Sequence, residues 1–361
     1  MTIEPQPGIM QIALYQGGAS AIAGRSDVLK LSSNENPLGP PPAAVEAIRA
    51  HAGAVHLYPS THHAELRTAI GEVHGLDPDR VICGVGSDEV LQFVTQAYAG
   101  VGDEIIHTEH GFSMYPVLIR MAGATPVCVP EAERRVDVDA ILSAVTEATR
   151  LVLLTNPGNP TGTRLPDAEL ERLADGLPED VILVIDAAYA EYAEGYDGGA
   201  ALASTRPNVL MTRTFSKVYG LGGLRIGWGY GDREVIEVLT RVRQPFNLSE
   251  LQMAAAEAAL RDPAWLADCV ALNADQRARL QGALRQLGIA CDDSETNFVL
   301  ARFASPAEAE AAHGALLGDG ILVRKVAGYG FPEGLRITVG DAAQTGRVID
   351  CLARWRAEAA A

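Results

Sequence analysis

The chain's first chemical signal is a lysine set among hydroxyls and glycines, with an arginine eight residues on. The segments are Thr214-Phe215-Ser216-Lys217 and Gly222-Gly223-Leu224-Arg225-Ile226-Gly227. Nearby positive charge lowers a lysine's pKa and leaves an amine able to form a Schiff base. The hydroxyls of Thr214 and Ser216, with the Arg225 guanidinium, suit a phosphate monoester. Alone, the same lysine could be an exposed turn residue. A second signal is Asp186-Ala187-Ala188-Tyr189, closing the apolar run Val181-Ile182-Leu183-Val184-Ile185. A carboxylate ending a buried strand is costly unless paired. A protonated ring nitrogen would pair it and make the ring an electron sink; a turn or helix cap is the plain alternative. The third, Asn156-Pro157-Gly158-Asn159-Pro160-Thr161-Gly162, is turn chemistry by composition, and the Asn159 amide could donate to a phenolate oxygen. The fourth, Gly84-Val85-Gly86-Ser87-Asp88-Glu89, joins a strand to a helix. Such a junction offers backbone N–H groups and a helix dipole to a phosphate, although Ser87 also reads as an ordinary N-cap.

These segments need a scaffold that brings strand ends together. Apolar runs at 81–84, 104–108, 125–129, 151–155, 181–186 and 209–212 predict strands. Amphipathic stretches at 87–99, 114–122, 138–145 and 167–177 predict helices between them. Short, continuously apolar strands alternating with helices mean an α/β fold with a mostly parallel sheet covered on both faces. Ligands of such sheets bind at the carboxyl ends of the strands, where all four segments fall. A helix should start at Pro42 and run to about Ala52. After Asp232 come Ala- and Leu-rich helices, including 251–260 and 265–287. Strands near 296–301, 320–324 and 335–338 and a final helix after Gln344 follow, which reads as a smaller α+β domain. The expected division is an arm over 1–42 belonging to the small domain, a large domain over 43–245, and a small domain over 246–361.

Composition narrows the class. Acidic residues outnumber basic ones, 46 against 29, giving a net charge of −17. Such a surface repels nucleic acid and anionic membrane. Five scattered cysteines without a Cys-x-x-Cys pair argue against a disulfide framework or a zinc site, and buried free thiols are expected, with Cys83 and Cys128 set between apolar neighbours. His56, His62 and His63 are close in sequence but lack regularly spaced partner ligands, so no metal is expected and the group reads as a solvated patch. No apolar run reaches the length of a membrane span and no leader-like segment opens the chain, so a cytoplasmic enzyme is expected.

The order and spacing of Asn-Pro-Thr-Gly, Asp-x-x-Tyr and Ser-Lys with a later Arg resemble the fold-type-I aminotransferases, which use pyridoxal 5'-phosphate. Over nearly its whole length the chain resembles, more narrowly, the histidinol-phosphate aminotransferase family. The narrowing segments are Leu31-Ser32-Ser33-Asn34-Glu35-Asn36-Pro37-Leu38-Gly39-Pro40, Tyr58-Pro59, His110-Gly111-Phe112-Ser113-Met114-Tyr115, and Ala327-Gly328-Tyr329-Gly330 leading to Leu335-Arg336-Ile337-Thr338-Val339-Gly340.

The resemblance implies a role for each matched residue. Lys217 would bind the cofactor and shuttle the proton, with Asp186 and Tyr189 completing the catalytic set. Asp186 would pair with the ring nitrogen, Asn159 and Tyr189 would bond the ring hydroxyl, and Phe112 would stack on the ring face. Arg225, Thr214, Ser216 and the amides at Ser87 and Asp88 would hold the phosphate. Tyr58 would reach that phosphate from a second subunit, making a homodimer with shared sites. Arg336 would clamp the substrate carboxylate in a bidentate fork, Arg324 would read a substrate phosphate, and Tyr15 and Asn36 of the arm would contribute to substrate binding. A structural salt bridge for Arg336 and a sheet-edge role for Arg324 are the plain alternatives. The implied reaction exchanges an amino group between L-histidinol phosphate and 2-oxoglutarate in histidine biosynthesis, giving imidazole acetol phosphate and L-glutamate. It is ping-pong through the pyridoxamine form of the cofactor. Aromatic amino acids are the rival donors, and a phosphothreonine decarboxylase would show the same cofactor residues. The sensor half of a transcription regulator would need a DNA-binding domain ahead of the first helix, where only about 40 residues stand.

Overall fold

The computed structural model describes residues 3–6, 8–13, 21–22 and 24–359. Two sheets organise them. The larger has seven strands in the order Val81–Gly84, Gly227–Tyr230, Val209–Thr214, Ile182–Asp186, Thr149–Thr155, Glu104–Thr108 and Thr125–Val129. Gly227–Tyr230 runs antiparallel to both of its neighbours, and the remaining pairs are parallel. Its central strands are buried residue after residue, Val209–Thr214 and Ile182–Asp186 completely, because helices cover both faces. Thr155, Asp186 and Thr214 therefore emerge side by side at one edge. The register pairs Thr155 with Asp186 and Asp186 with Thr212.

Local chemistry sets the helix boundaries. Pro42 starts the first helix, Pro42–His51, where its missing N–H and fixed φ do no harm. Asp232, Ser249 and Asp262 accept backbone N–H bonds at the starts of Arg233–Val242, Glu250–Leu260 and Pro263–Gln286, and Ser249 with Gln252 forms a full capping box.

The smaller sheet orders Phe298–Arg302, Phe331–Thr338 and Arg324–Val326, all antiparallel. Leu29–Lys30 pairs in parallel with Ile321–Leu322, and Leu31 packs into the same core as Val299, Ile337 and Leu352. A separate core of Ala44, Leu154, Ile185 and Trp228 lies on the larger sheet. Met253, Ala255 and Ala259 of Glu250–Leu260 belong to that larger core, although their helix falls beyond position 245.

Two packing expectations are corrected. Cys128 is exposed because its strand is the outer edge of the larger sheet, with a neighbour on one side only. His63 is buried, with Nε2 3.2 Å from Arg243 Nη1, so only His56 and His62 form the exposed part of that cluster. Burial, then the nearby arginines, brings His63 down to about 4, so it is neutral at physiological pH. No helix among the described residues is long and apolar enough to cross a membrane.

Candidate active site

A cleft with about 870 Å³ of empty space opens where the carboxyl ends of the larger sheet meet the smaller sheet. It is lined by Ser87, Asp88, Phe112, Asn159, Asp186, Tyr189, Thr214, Ser216, Lys217, Arg225, Arg324 and Arg336 of the expected set, and by Ser32, Ser33, Asn34, Thr155, Ala188 and Tyr329 besides.

Lys217 follows the strand Val209–Thr214 and is partly buried, at the cleft wall. Burial, with the Arg336 guanidinium as second cause, brings its amine down to about 8. The Nζ lies 5.7 Å from the centre of the Tyr189 ring. At neutral pH a usable fraction of this amine is unprotonated, as a nucleophile or base requires.

Asp186 is 4% exposed. Thr212 Oγ1 donates to its Oδ1 at 3.3 Å and Tyr115 OH to its Oδ2 at 3.4 Å, and the Ala188 N–H adds a backbone bond. These neutral donors do not offset burial, which with the Asp88 charge pushes the carboxyl up to about 7. A buried carboxyl in that state accommodates a cationic N–H partner well.

Tyr189 and Asn159 are oriented by their neighbours. Asn34 Nδ2 donates to Tyr189 OH at 2.9 Å, leaving the phenol hydrogen free to donate. Arg336 Nη1 donates to Asn159 Oδ1 at 2.6 Å. A guanidinium can only donate, so the oxygen of Asn159 faces Arg336 and its NH2 is left for the cleft. The two residues therefore supply converging donors. Burial pushes the Tyr189 phenol up to about 12, which keeps that hydrogen in place.

One corner of the cleft lies at the start of the helix Gly86–Tyr98, where Ser87 and Asp88 meet Ser216 and Arg225. Val85 at its N-cap makes no side-chain cap bond, correcting the reading of Ser87 as the cap: Ser87 sits inside the first turn. Glu89 Oε2 accepts from Val85 N at 2.7 Å, and the N–H groups of that first turn are left for a ligand. Arg225 Nη1 donates to Ser216 Oγ at 2.9 Å and Nη2 to Asp88 Oδ2 at 3.0 Å. Gly86 has φ +76, and a Cβ there would stand 2.5 Å from Arg225 Nη2, so glycine is required for the guanidinium to lie against the helix start.

Arg336, in the strand Phe331–Thr338, is 7% exposed. It donates to Asn159 and to Ser32 O and stacks 5.2 Å from the Phe298 ring centre. Arg324 stands directly opposite it across adjacent strands. Like charges so placed repel, and an anion between them converts that repulsion into attraction.

The other expected residues lie elsewhere. Tyr58 is 84% exposed, outside this chain's own cleft, with its ring 4.7 Å from that of Phe246. Asn36 does not line the cleft: its amide donates to Val218 O at 2.7 Å and Cys269 Sγ at 3.2 Å, tying down the arm. Asn34, two residues earlier and at φ +57, is the arm asparagine that faces the site. Tyr15 lies outside the described residues. Sequence reasoning left Asn34, Tyr115 and Tyr329 without roles, although each sits in a segment already singled out.

Comparison with known proteins follows the same lines. Residues 26–352 match the family described as aminotransferase class I and II. The histidinol-phosphate aminotransferase of Ruegeria pomeroyi is 66% identical over 98% of each chain, and that of Jannaschia sp. strain CCS1 is 59% identical over 97% of each. Among solved structures, histidinol-phosphate aminotransferase from Sinorhizobium meliloti, in complex with pyridoxal-5'-phosphate, superposes with a TM-score of 0.90 at 28% identity, covering 99% of both chains. An aspartate aminotransferase from Thermus thermophilus shares the fold, with a TM-score of 0.80 at 24% identity. The chain belongs to the class I and II aminotransferases and, within them, to the histidinol-phosphate aminotransferase family.

Proposed function

We propose that the chain transfers an amino group from L-histidinol phosphate to 2-oxoglutarate, releasing imidazole acetol phosphate and L-glutamate, with pyridoxal 5'-phosphate as cofactor, in histidine biosynthesis. The observation that carries this is the cleft itself: an amine held near 8, a buried carboxyl held near 7 and two opposed arginines line one space. The relatives that match over the whole chain are histidinol-phosphate aminotransferases.

The residues fit the cofactor. Asp186 needs a cationic N–H partner, which a ring nitrogen provides. Asn159 and Tyr189 present two donors for a ring oxygen, and Phe112 lies at the cleft wall for the ring face. The Gly86–Tyr98 helix start, Thr214, Ser216 and Arg225 make the phosphate cradle. The bound cofactor supplies a carbonyl for amine exchange and an electron sink for the carbon being deprotonated.

The protein's part is to hold groups and move one proton. The unprotonated fraction of Lys217 Nζ takes the proton from the substrate carbon and returns it on the other side of the exchange. Asp186 stays ionised once paired and keeps the ring nitrogen protonated. Arg336 and Arg324 hold the anionic end of each substrate in turn, the phosphate of histidinol phosphate and a carboxylate of 2-oxoglutarate. One site serving both substrates makes the kinetics ping-pong.

The active unit is read as a homodimer. Val55, Leu57, Tyr58 and Phe246 form an exposed apolar group, which suits a subunit contact, and Tyr58 from that contact would reach the partner's phosphate corner. Residues 43–245 are read as the large domain and 246–361, with the arm over 1–42, as the small one. Tyr15 keeps its proposed place over the substrate. Free cysteines throughout the set suit a reducing cytoplasm.

The test is glutamate formation from 2-oxoglutarate with histidinol phosphate or phenylalanine as donor. The proposal expects a kcat/KM at least a hundredfold higher, on the order of 3 kcal/mol, for the phosphorylated donor, because only that donor offers a dianion to the paired arginines. Equal or better use of phenylalanine would make the enzyme an aromatic aminotransferase.

A further inference from the structure

The loop 109–114 of the larger unit carries Phe112 to the cleft, and its neighbours grip the smaller unit on either side of that ring. His110 Nδ1 lies 2.7 Å from Tyr329 O. A carbonyl only accepts, so Nδ1 carries the hydrogen. The His110 ring also stacks on Phe331, centroids 4.2 Å apart, and Ser113 Oγ shares a hydrogen bond with Tyr329 OH at 2.9 Å. Gly330 permits the approach: its φ is +87, and a Cβ would sit 3.1 Å from the His110 ring.

The gripped segment has a particular place. Residues 327–330 form the turn between Arg324–Val326 and Phe331–Thr338, the two strands that carry Arg324 and Arg336. On the other side, Phe112 lies edge-on to Tyr115, ring centres 5.8 Å apart, and Tyr115 is one of the two hydroxyl partners of Asp186. The clasp thus connects the pair of arginines to the ring that faces them and, through Tyr115, to the buried carboxyl.

We propose that His110 and Ser113 are positioning residues: by clasping the 327–330 turn they fix the Arg324–Arg336 anion site at its working distance from Phe112. They line no part of the cleft, so they act through Tyr329 and Phe331. The inference rests on the aminotransferase reading, since it concerns how that enzyme holds its anionic substrates.

Three variants of the holoenzyme test it. Ser113→Ala and His110→Ala should each raise the KM for histidinol phosphate and for glutamate about fivefold, the effect of losing one hydrogen bond. The kcat and the visible absorbance of the bound cofactor should stay at wild-type levels. His110→Asn, whose amide nitrogen occupies the place of Nδ1, should recover most of the loss. Hydrogen exchange over residues 326–331 reads the clasp without turnover and should accelerate in His110→Ala but not in His110→Asn. Unchanged KM values with unchanged exchange would overturn the proposal, as would a KM rise that the asparagine variant fails to recover. An enzyme that aminates no keto acid from any donor would instead sink the functional reading, and exchange alone would then decide the clasp.

Discussion

Asp186→Asn should make the cofactor-free protein more stable at alkaline pH while disabling it. Folding raises the Asp186 carboxyl from its ordinary 3.8 to about 7, chiefly through burial. Between those values the folded chain keeps a proton that the unfolded chain has released. Stability therefore falls as pH rises through that window, by about 1.4 kcal/mol per pH unit. From pH 5 to pH 8 the wild-type apoprotein loses about 3 kcal/mol through this group, whereas asparagine loses none. For a chain of this length that corresponds to about 4 °C in Tm. The variant's Tm relative to wild type should therefore climb by about that amount between the two pH values. The absolute offset also includes the amide's mismatch with the Thr212 and Tyr115 donors. Adding pyridoxal phosphate should reverse the ranking, because only the carboxylate pairs with a protonated ring nitrogen. Calorimetry of both proteins at pH 5 and pH 8, with and without cofactor, measures all of this. A pH-independent Tm difference in the apoproteins would refute the assigned ionisation, and a variant stabilised equally by the cofactor would refute the pairing.

Other outcomes follow from the same geometry. Arg336→Lys keeps the charge but loses the fork that reaches Asn159 and Ser32, so kcat/KM for both amino donors should fall about tenfold to a hundredfold; steady-state assays decide it. Gly86→Ala places a Cβ against Arg225 at a left-handed φ, and cofactor affinity measured by fluorescence titration should drop about tenfold. Tyr58→Ala and Lys217→Ala proteins should each be impaired alone. Unfolded and refolded together, half of their dimers would be hybrids with one intact site, returning activity to about a quarter of wild type; no recovery would mean that Tyr58 serves its own chain.

Much of this was legible before any coordinates. The strands at 81–84, 104–108 and 125–129 match residue for residue, because uninterrupted apolar runs between helices have few other uses. The strand Gly227–Tyr230 was missed: Gly-Trp-Gly-Tyr is half glycine, and its antiparallel place beside Val81–Gly84 is a long-range pairing. The helix Pro306–Gly318 was missed too, its alanines giving no sharp apolar stripe, although Ser305 caps it in the usual way. Ala64–His74 begins after a left-handed His63 with no side-chain cap, so no start signal marks it. In the site, residues tied to a motif were found and those brought in by tertiary folding were not. Asn34 and Asn36 are alike in sequence, and only the bond from Asn34 N to Thr338 Oγ1, with Asn297 on the Asn34 carbonyl, determines which one faces the cleft.

The central claim is that Lys217 carries the cofactor of an aminotransferase. Its most direct test is to load the enzyme with pyridoxal phosphate, reduce with borohydride, digest, and locate the modified residue by mass spectrometry. Lys217→Ala should be run beside it and assayed for turnover. The account predicts a single reduced pyridoxyl group on Lys217, and a Lys217→Ala protein with neither visible cofactor absorbance nor activity. A label on another lysine, or normal turnover by Lys217→Ala, would contradict it.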